Sequence, residues 1–254
     1  MPEGDTIFRT ARTLQQALAG KVVKRFETVL PKLARVDDQT PIAGRSVERV
    51  ESQGKHLLIA FSGDLFLRTH MRMNGSWHIY RPGERWQRRR DDMRIVIATD
   101  DFVAVAFNVP VAEFVDARSL ARTEDLRRLG PDLLGKTFDM AEAIRRIRAR
   151  PNEDIAEVLL NQRVIAGIGN IYKSESLFVA GVNPFAKVQS LDDAALERIV
   201  STARRLLQRS AVKRDQPWSV YGRGGQRCRK CGSVIEVKPT GPDARLTFWC
   251  PKCQ

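Results

Sequence analysis

Residues 161–172 read Asn161-Gln162-Arg163-Val164-Ile165-Ala166-Gly167-Ile168-Gly169-Asn170-Ile171-Tyr172. The tract reads as a helix, two glycine-broken turns and a second helix. Asn170 stands where the second helix is expected to be capped. Gly167 and Gly169 let backbone amides come close to an anion, and the N-terminus of a helix adds partial positive charge. Such a device grips a DNA phosphate. Glycine turns between helices also serve as plain connections, and on this tract alone both readings stand.

Working outward, the flanks are helical. Asp139-x-x-Glu142 has the pattern of a capping box ahead of Ile144 and Ile147, and Ser190-x-x-Asp193 has it ahead of Leu196, Ile199 and Val200. The chain start is also helical: Asp5 as cap, Ile7, Ala11, Leu14 and Leu18 at helical spacing, and Gly20 as stop. Between these regions the period changes. Residues 21–30, 47–51, 56–61, 65–70, 77–80, 94–98 and 103–107 are short apolar-rich runs punctuated by Gly, Asn, Asp and Pro. Seven or so strands at this spacing predict a β-sandwich. Residues 81–92 form a polar, Arg-rich loop. The expected fold class is α+β and multidomain. The β-sandwich domain spans 1–117, a linker 118–134, a helical domain 135–217 and a zinc-finger hairpin 218–254.

The chain has 254 residues, 43% of them hydrophobic, and a formal net charge of +13. Arg and Lys together number 43, of which 32 are Arg. A basic excess of this size predicts a polyanion partner, with nucleic acid the first choice, and Arg suits bidentate phosphate contact. Genomic base composition also inflates Arg, but it leaves the net charge unexplained. No apolar run approaches the ~20 residues of a membrane helix. No basic segment followed by an apolar one marks a signal peptide, so a cytosolic protein is expected. All four cysteines fall in Cys228-x-x-Cys231 and Cys250-x-x-Cys253. Two close pairs at this separation predict one structural Zn²⁺ held by four thiolates, with no open position for catalysis.

The chain begins Met1-Pro2-Glu3-Gly4. Removal of Met1 leaves a prolyl amine beside a carboxylate. An α-amine titrates near ~7.7–8.0 and a lysine near ~10.4, so roughly a tenth of such amines are neutral at pH 7. A neutral amine attacks aldehydes, and a secondary amine gives an iminium that cannot shed its charge by losing a proton. A proline that merely follows the start codon is the plain alternative.

Taken together, these segments resemble the bacterial formamidopyrimidine-DNA glycosylase and endonuclease VIII family. The residues that carry the resemblance begin with Pro2-Glu3-Gly4, residues 54–58 (Gly-Lys-His-Leu-Leu) and residues 70–77 (His-Met-Arg-Met-Asn-Gly-Ser-Trp). They continue with residues 159–172 and Glu175, Gly181-Val182-Asn183-Pro184, Val220-Tyr221-Gly222-Arg223, and residues 245–254. They run in the family's order along the whole chain. The resemblance implies a bifunctional DNA glycosylase and abasic-site lyase of base excision repair, a monomer acting on damaged duplex DNA at the bacterial nucleoid. It implies Pro2 as the nucleophile on C1′, Glu3 as general acid/base, and Lys55 on a flanking phosphate, assisting β-elimination. Arg245 would clamp phosphate and assist δ-elimination. Asn170, Gly169 and Arg223 would contact DNA, and Met73 would enter the gap beside an expelled base. Trp77 is expected in the core, and no chemistry is assigned to the three histidines.

Two departures refine this expectation. Asp5-Thr6 replaces the Pro-Glu that many family members carry, which leaves Asp5 either to stand in for that carboxylate or only to cap the helix. The wedge pair of the guanine-directed branch is absent from residues 105–114, and the segment before Cys228 is short. Both favour the endonuclease VIII branch and oxidised pyrimidines. An abasic-site lyase with little base excision, or a non-catalytic binder of damaged DNA, remains as an alternative.

Overall fold

The computed structural model describes residues 2–213 and 217–254. Met1, and the part of the expected 135–217 domain at 214–216, lie outside the described residues. The chain divides into two compact units, one of Pro2 with Thr6–Arg127 and one of Glu3–Asp5 with Arg128–Gln254.

The first unit holds α1 (Gly4–Leu18) from Thr6 on, and its Ile7, Ala11, Leu14 and Leu18 are all buried. Gly20 follows it at φ 77°, a left-handed backbone that ends the helix without strain. Eight strands come next: β1 (Arg25–Thr28), β2 (Val47–Gln53), β3 (His56–Phe61), β4 (Leu65–His70), β5 (Ser76–Tyr80), β6 (Met93–Ala98), β7 (Val103–Phe107) and β8 (Val111–Val115). They form two antiparallel four-stranded sheets, in the orders β1-β6-β7-β5 and β2-β3-β4-β8. Val50, Leu57, Ile59 and Leu67 from one sheet meet Trp77, Ile95, Ile97 and Ala104 from the other in one core with the apolar stripe of α1. Every residue of β3 and of β7 is buried, as interior strands require.

Three expectations need correction here. The run at 21–30 yields a strand only at Arg25–Thr28. Residues 31–39 form α2 (Pro31–Gln39), with Pro31 in the first turn, where a missing N–H costs nothing. β8, opposite β4, was not expected: all five of its residues are half-buried, so the two-residue alternation is blurred. The expected linker carries α3 (Ala117–Arg122) and α4 (Glu124–Arg127).

The strand register fixes which loops share an end of this unit. Gln53 pairs with His56, His56 with His70, and His70 with Val111. Ser76 and Met93 both pair with Phe107. The connections at 54–55, 71–75 and 108–110 and the turn Arg90–Asp92 therefore lie at one end of the sandwich.

The second unit holds α5 (Met140–Arg148), α6 (Ile155–Leu160), α7 (Asn170–Ala180), α8 (Asp193–Val212) and the hairpin β9 (Glu236–Thr240) and β10 (Arg245–Trp249). Asp139 caps α5, its carboxylate accepting from the Glu142 amide at 2.9 Å. The cap of α8 is Asp192, accepting from Ala195 at 2.7 Å, not the expected Ser190. A carboxylate is the stronger acceptor and sits next to the helix, whereas the Ser190 hydroxyl donates to the Lys187 carbonyl. No described helix is long and apolar enough to cross a membrane.

Candidate active site

The two turns between α6 and α7 are stapled by one side chain. Gln162 donates from Nε2 to the Leu160 and Ile168 carbonyls, both at 2.9 Å, and its Oε1 accepts from the Gly167 amide at 3.0 Å. Gly167 stands at φ 102°. The Gly4 amide donates to the Gly167 carbonyl at 3.0 Å, and a Cβ on Gly4 would fall 2.8 Å from that oxygen. Gly4 and Gly167 thus allow two backbones to touch.

α7 begins at Asn170 with Gly169 in the capping position, so Asn170 is the first helical residue and not the cap. The amides at this N-terminus are engaged by the chain itself. Glu3 is buried, and its carboxylate accepts from Ile171 at 2.8 Å and from Tyr172 at 3.3 Å. Two of the amides at this N-terminus, those of Ile171 and Tyr172, are therefore taken by a side chain of the chain itself. Gly169 owes its place to the same contact: a Cβ there would lie 2.3 Å from Glu3 Cδ. The anion predicted from the glycines exists, and it is a side chain 168 positions away in sequence.

Asp5 follows two residues later, buried inside α1, and is not a cap. Its Oδ2 accepts from the Ser210 hydroxyl of α8 at 2.7 Å. Tyr172 lies beside this pair, and burial, then the Asp5 charge, push its phenol well above the ordinary tyrosine range. Glu3, Gly4 and Asp5 are therefore each hydrogen-bonded within the second unit, at α7, at Gly167 and at α8. The residue peptide-bonded to this fixed tripeptide is Pro2.

Asn170 Nδ2 donates to the Leu246 carbonyl at 2.7 Å, while its Oδ1 is buried with no hydrogen-bond partner among the described residues. The bond ties α7 to β10, one residue from Arg245. Lys173, one turn on, is fully buried, and its Nζ donates to Thr247 Oγ1 at 2.7 Å. Burial lowers its amine to about 8, with the Arg245 charge adding to the effect and Glu157 and Glu3 opposing it. Thr247 Oγ1 also pairs with Thr240 Oγ1 at 2.7 Å across the hairpin. Arg245 meets Asp243 at 2.9 Å on the surface, an exposed pair that a phosphate can replace. Glu175 accepts from the amides of Ser219, Val220 and Tyr221, each at 2.8 Å, which fixes the approach to the hairpin. Arg223 gives its guanidinium to Ser219 O, Arg227 O and Gln226 Oε1, so it staples this loop.

The four cysteine sulfurs lie within 4.8 Å of one another and form no disulfide. Cys231 and Cys250 are 3.4 Å apart, and Cys228 and Cys253 4.0 Å. A tetrahedron with metal–sulfur bonds of ~2.3 Å has edges of about 3.8 Å. The set fits one metal ion.

In the first unit, Lys55 occupies the 54–55 turn between β2 and β3. Met73 is 62% exposed at the 71–75 turn, while Met71, two residues back, is buried in the core. The turn is tight: Arg72 has φ 49°, and a Cβ on Gly75 would fall 2.6 Å from the Met71 carbonyl. Trp77 is in the core, as expected. Two of the three histidines, given no role from sequence, come together. The rings of His56 and His70 meet edge-on at 4.8 Å. Burial lowers His56 to about 3 and His70 to about 4, and Arg72, Lys55 and Arg68 add to the His70 shift. His70 Nδ1 accepts from the Arg72 amide at 3.1 Å, so a neutral ring carries its proton on Nε2 and can donate. Only cross-strand register, His56 opposite His70, could have revealed this pair.

Comparison with known proteins gives the family. Residues 1–123 match the formamidopyrimidine-DNA glycosylase N-terminal domain and residues 129–219 the formamidopyrimidine-DNA glycosylase H2TH domain. The chain is 39% identical to the probable endonuclease 8 2 of Streptomyces coelicolor, covering 100% of this chain and 94% of that one. It is 38% identical to the DNA-(apurinic or apyrimidinic site) lyase Nei2 of Mycolicibacterium smegmatis, covering 100% and 99%. Identity to the endonuclease 8 of Escherichia coli is 31%, with both chains fully covered. The Lactococcus lactis Fpg, solved in complex with DNA containing an abasic site, shares the fold with a TM-score of 0.87, 20% identity and coverage of 100% and 99%. The chain belongs to the formamidopyrimidine-DNA glycosylase family.

Proposed function

We propose that this chain is a DNA glycosylase and abasic-site lyase of base excision repair that removes oxidised pyrimidines from duplex DNA. The observation that carries the reading is the anchored Glu3-Gly4-Asp5 tripeptide next to Pro2. Four hydrogen bonds hold it, so the first carboxylate and the residue joined to Pro2 have fixed places. Pro2 attacks C1′ of the damaged nucleotide as the base leaves, and Glu3 moves the proton that opens the sugar ring. The resulting iminium acidifies the C2′ proton, and loss of that proton expels the 3′ phosphate. Lys55, Asn170 and Arg245 hold the flanking phosphates, with Arg245 assisting the second elimination. His70 Nε2–H is a further donor, and exposed Met73 fills the gap left by the base, a move favoured because its apolar side chain leaves water. Gly169 serves the site by admitting Glu3, and Arg223 by shaping the loop at 219–227.

The metal is one structural Zn²⁺ on Cys228, Cys231, Cys250 and Cys253, which holds the hairpin that carries Arg245. The division into a sandwich, a linker, a helical domain and a zinc finger is part of the same reading. So is a cytoplasmic monomer acting on nucleoid DNA. A second reading, abasic-site lyase with little base excision, is favoured by Asp5. Its carboxylate is engaged by Ser210, and one full-length relative is named a DNA-(apurinic or apyrimidinic site) lyase. A panel of duplexes carrying oxidised pyrimidines, oxidised purines or an abasic site, with strand cleavage as readout, separates the readings. Cleavage at oxidised pyrimidines is expected. Cleavage at abasic sites alone selects the lyase, and none at any substrate overturns both.

A further inference from the structure

The residues between β5 and β6 have no part in the chemistry above, yet they are built. β5 ends at Tyr80, opposite Val103, while β6 begins at Met93, opposite Phe107. Residues 81–92 must therefore travel back along the sheet, and they do so across its outer face. Trp86 packs there on Tyr80 and Phe107, at ring distances of 6.4 and 5.7 Å, and the Gln87 amide donates to the Tyr80 hydroxyl at 3.1 Å. At the start of the strap, Arg81 stacks on Phe102 at 4.6 Å. At its end, Arg94 donates to the Asp91 carbonyl at 2.9 Å and Asn108 to the Asp92 carbonyl at 2.8 Å.

What the strap presents is positive. Arg85, Arg88, Arg89 and Arg90 are exposed, residues 85–90 contain no acid, and 84–90 line an open cleft of ≈ 520 Å³. Glu84, itself exposed, accepts from the Arg81 amide at 2.8 Å, and Asp91 pairs with Arg89 at 3.0 Å. The strap runs along the outer face and reaches, at Arg90–Asp92, the end of the sandwich that carries Lys55 and Met73. Arg88 lies close enough to His78, two residues from Ser76, to add to the lowering that burial imposes on that ring.

We infer that the strap at 85–90 is a second phosphate-binding surface, which engages the DNA backbone beyond the nucleotides held at the lesion. Arg suits the task because its planar fork meets phosphate oxygens in pairs. A strap pinned at both ends and at Trp86 loses little freedom on binding. The inference rests on the reading of this chain as a DNA-binding repair enzyme.

The test is the salt dependence of binding to a 30-bp abasic duplex, followed by fluorescence anisotropy, for the full chain. Each phosphate contact contributes about 0.9 to the slope of log K against log salt. Arg88→Gln/Arg90→Gln is expected to flatten the slope by about 1.8, and Arg88→Gln alone, which leaves Arg90 on Trp86, by about 0.9. Arg118→Gln/Arg122→Gln removes the same charge from α3, which follows β8 at the other end of the sandwich, and is expected to leave the slope unchanged. Equal slopes in the wild type and both strap variants, or equal flattening by the α3 control, overturn the inference while leaving the enzyme reading intact. Wild-type protein that binds no duplex overturns both.

Discussion

Replacing Gly169 with alanine tests how the site is held. A Cβ at this position would fall 2.3 Å from Glu3 Cδ and 2.6 Å from both Cγ and Oε1. Carbon atoms rest no closer than about 3.5 Å, so Glu3 must move by roughly 1.2 Å or leave. Either response breaks the hydrogen bonds from Ile171 and Tyr172. Hydrogen bonds to charged groups contribute about 1.5–3 kcal/mol each, and relaxation of an N-terminal residue recovers part, so a stability loss of about 2–4 kcal/mol is expected. Misplacement of a reacting group by 1 Å costs on the order of 100-fold in rate. The assay is single-turnover borohydride trapping on an abasic duplex, with thermal unfolding in parallel. Gly20→Ala is the control. It forces an alanine to φ 77° with nothing within 4 Å, a strain of about 1–2 kcal/mol that leaves the trapping rate unchanged. Folded Gly169→Ala protein trapping within about fivefold of wild type would refute the argument that Glu3 is held through this glycine.

Lys173 gives a pH signature. Its folded amine titrates near 8 against an ordinary 10.5, so between these values the unfolded chain binds more protons and stability rises with pH. The gap corresponds to roughly 3 kcal/mol at most, present as a cost below pH 8 and relieved toward pH 10.5. Wild type should therefore gain on Lys173→Met as pH rises from 7 to 10 in denaturant melts, and a constant difference contradicts the buried amine. Chelation should release one zinc per chain and expose the amides of Glu236–Thr240 and Arg245–Trp249 to hydrogen exchange. Those of β3 and β7, in the other unit, should stay protected, and unaltered exchange in the hairpin contradicts a structural metal.

Much of this was legible in the sequence because the signals are local. The stripe of α1, the Asp139 cap and the paired cysteines each lie within a few residues of their partners. The failures are of two kinds. Some turn on one position: Asp192 outcompetes Ser190 as a cap, and α7 starts at Asn170, not after it. Others turn on contacts distant in sequence. Glu3 reaches Ile171 and Asp5 reaches Ser210, and no spacing rule links them. The His56–His70 pair and the return of the strap to the Ser76 end follow only from strand register. The glycines announced that something would approach α7 but not what.

The central claim is that the prolyl amine next to this anchored tripeptide is the nucleophile. Peptide mapping of the borohydride-trapped adduct tests it most directly. The account predicts a single modified peptide that begins at Pro2 with the sugar on its nitrogen, and no adduct when Met1 is retained or the amine is acylated. An adduct on Lys55 or another lysine, or one that persists with the N-terminus blocked, would contradict it.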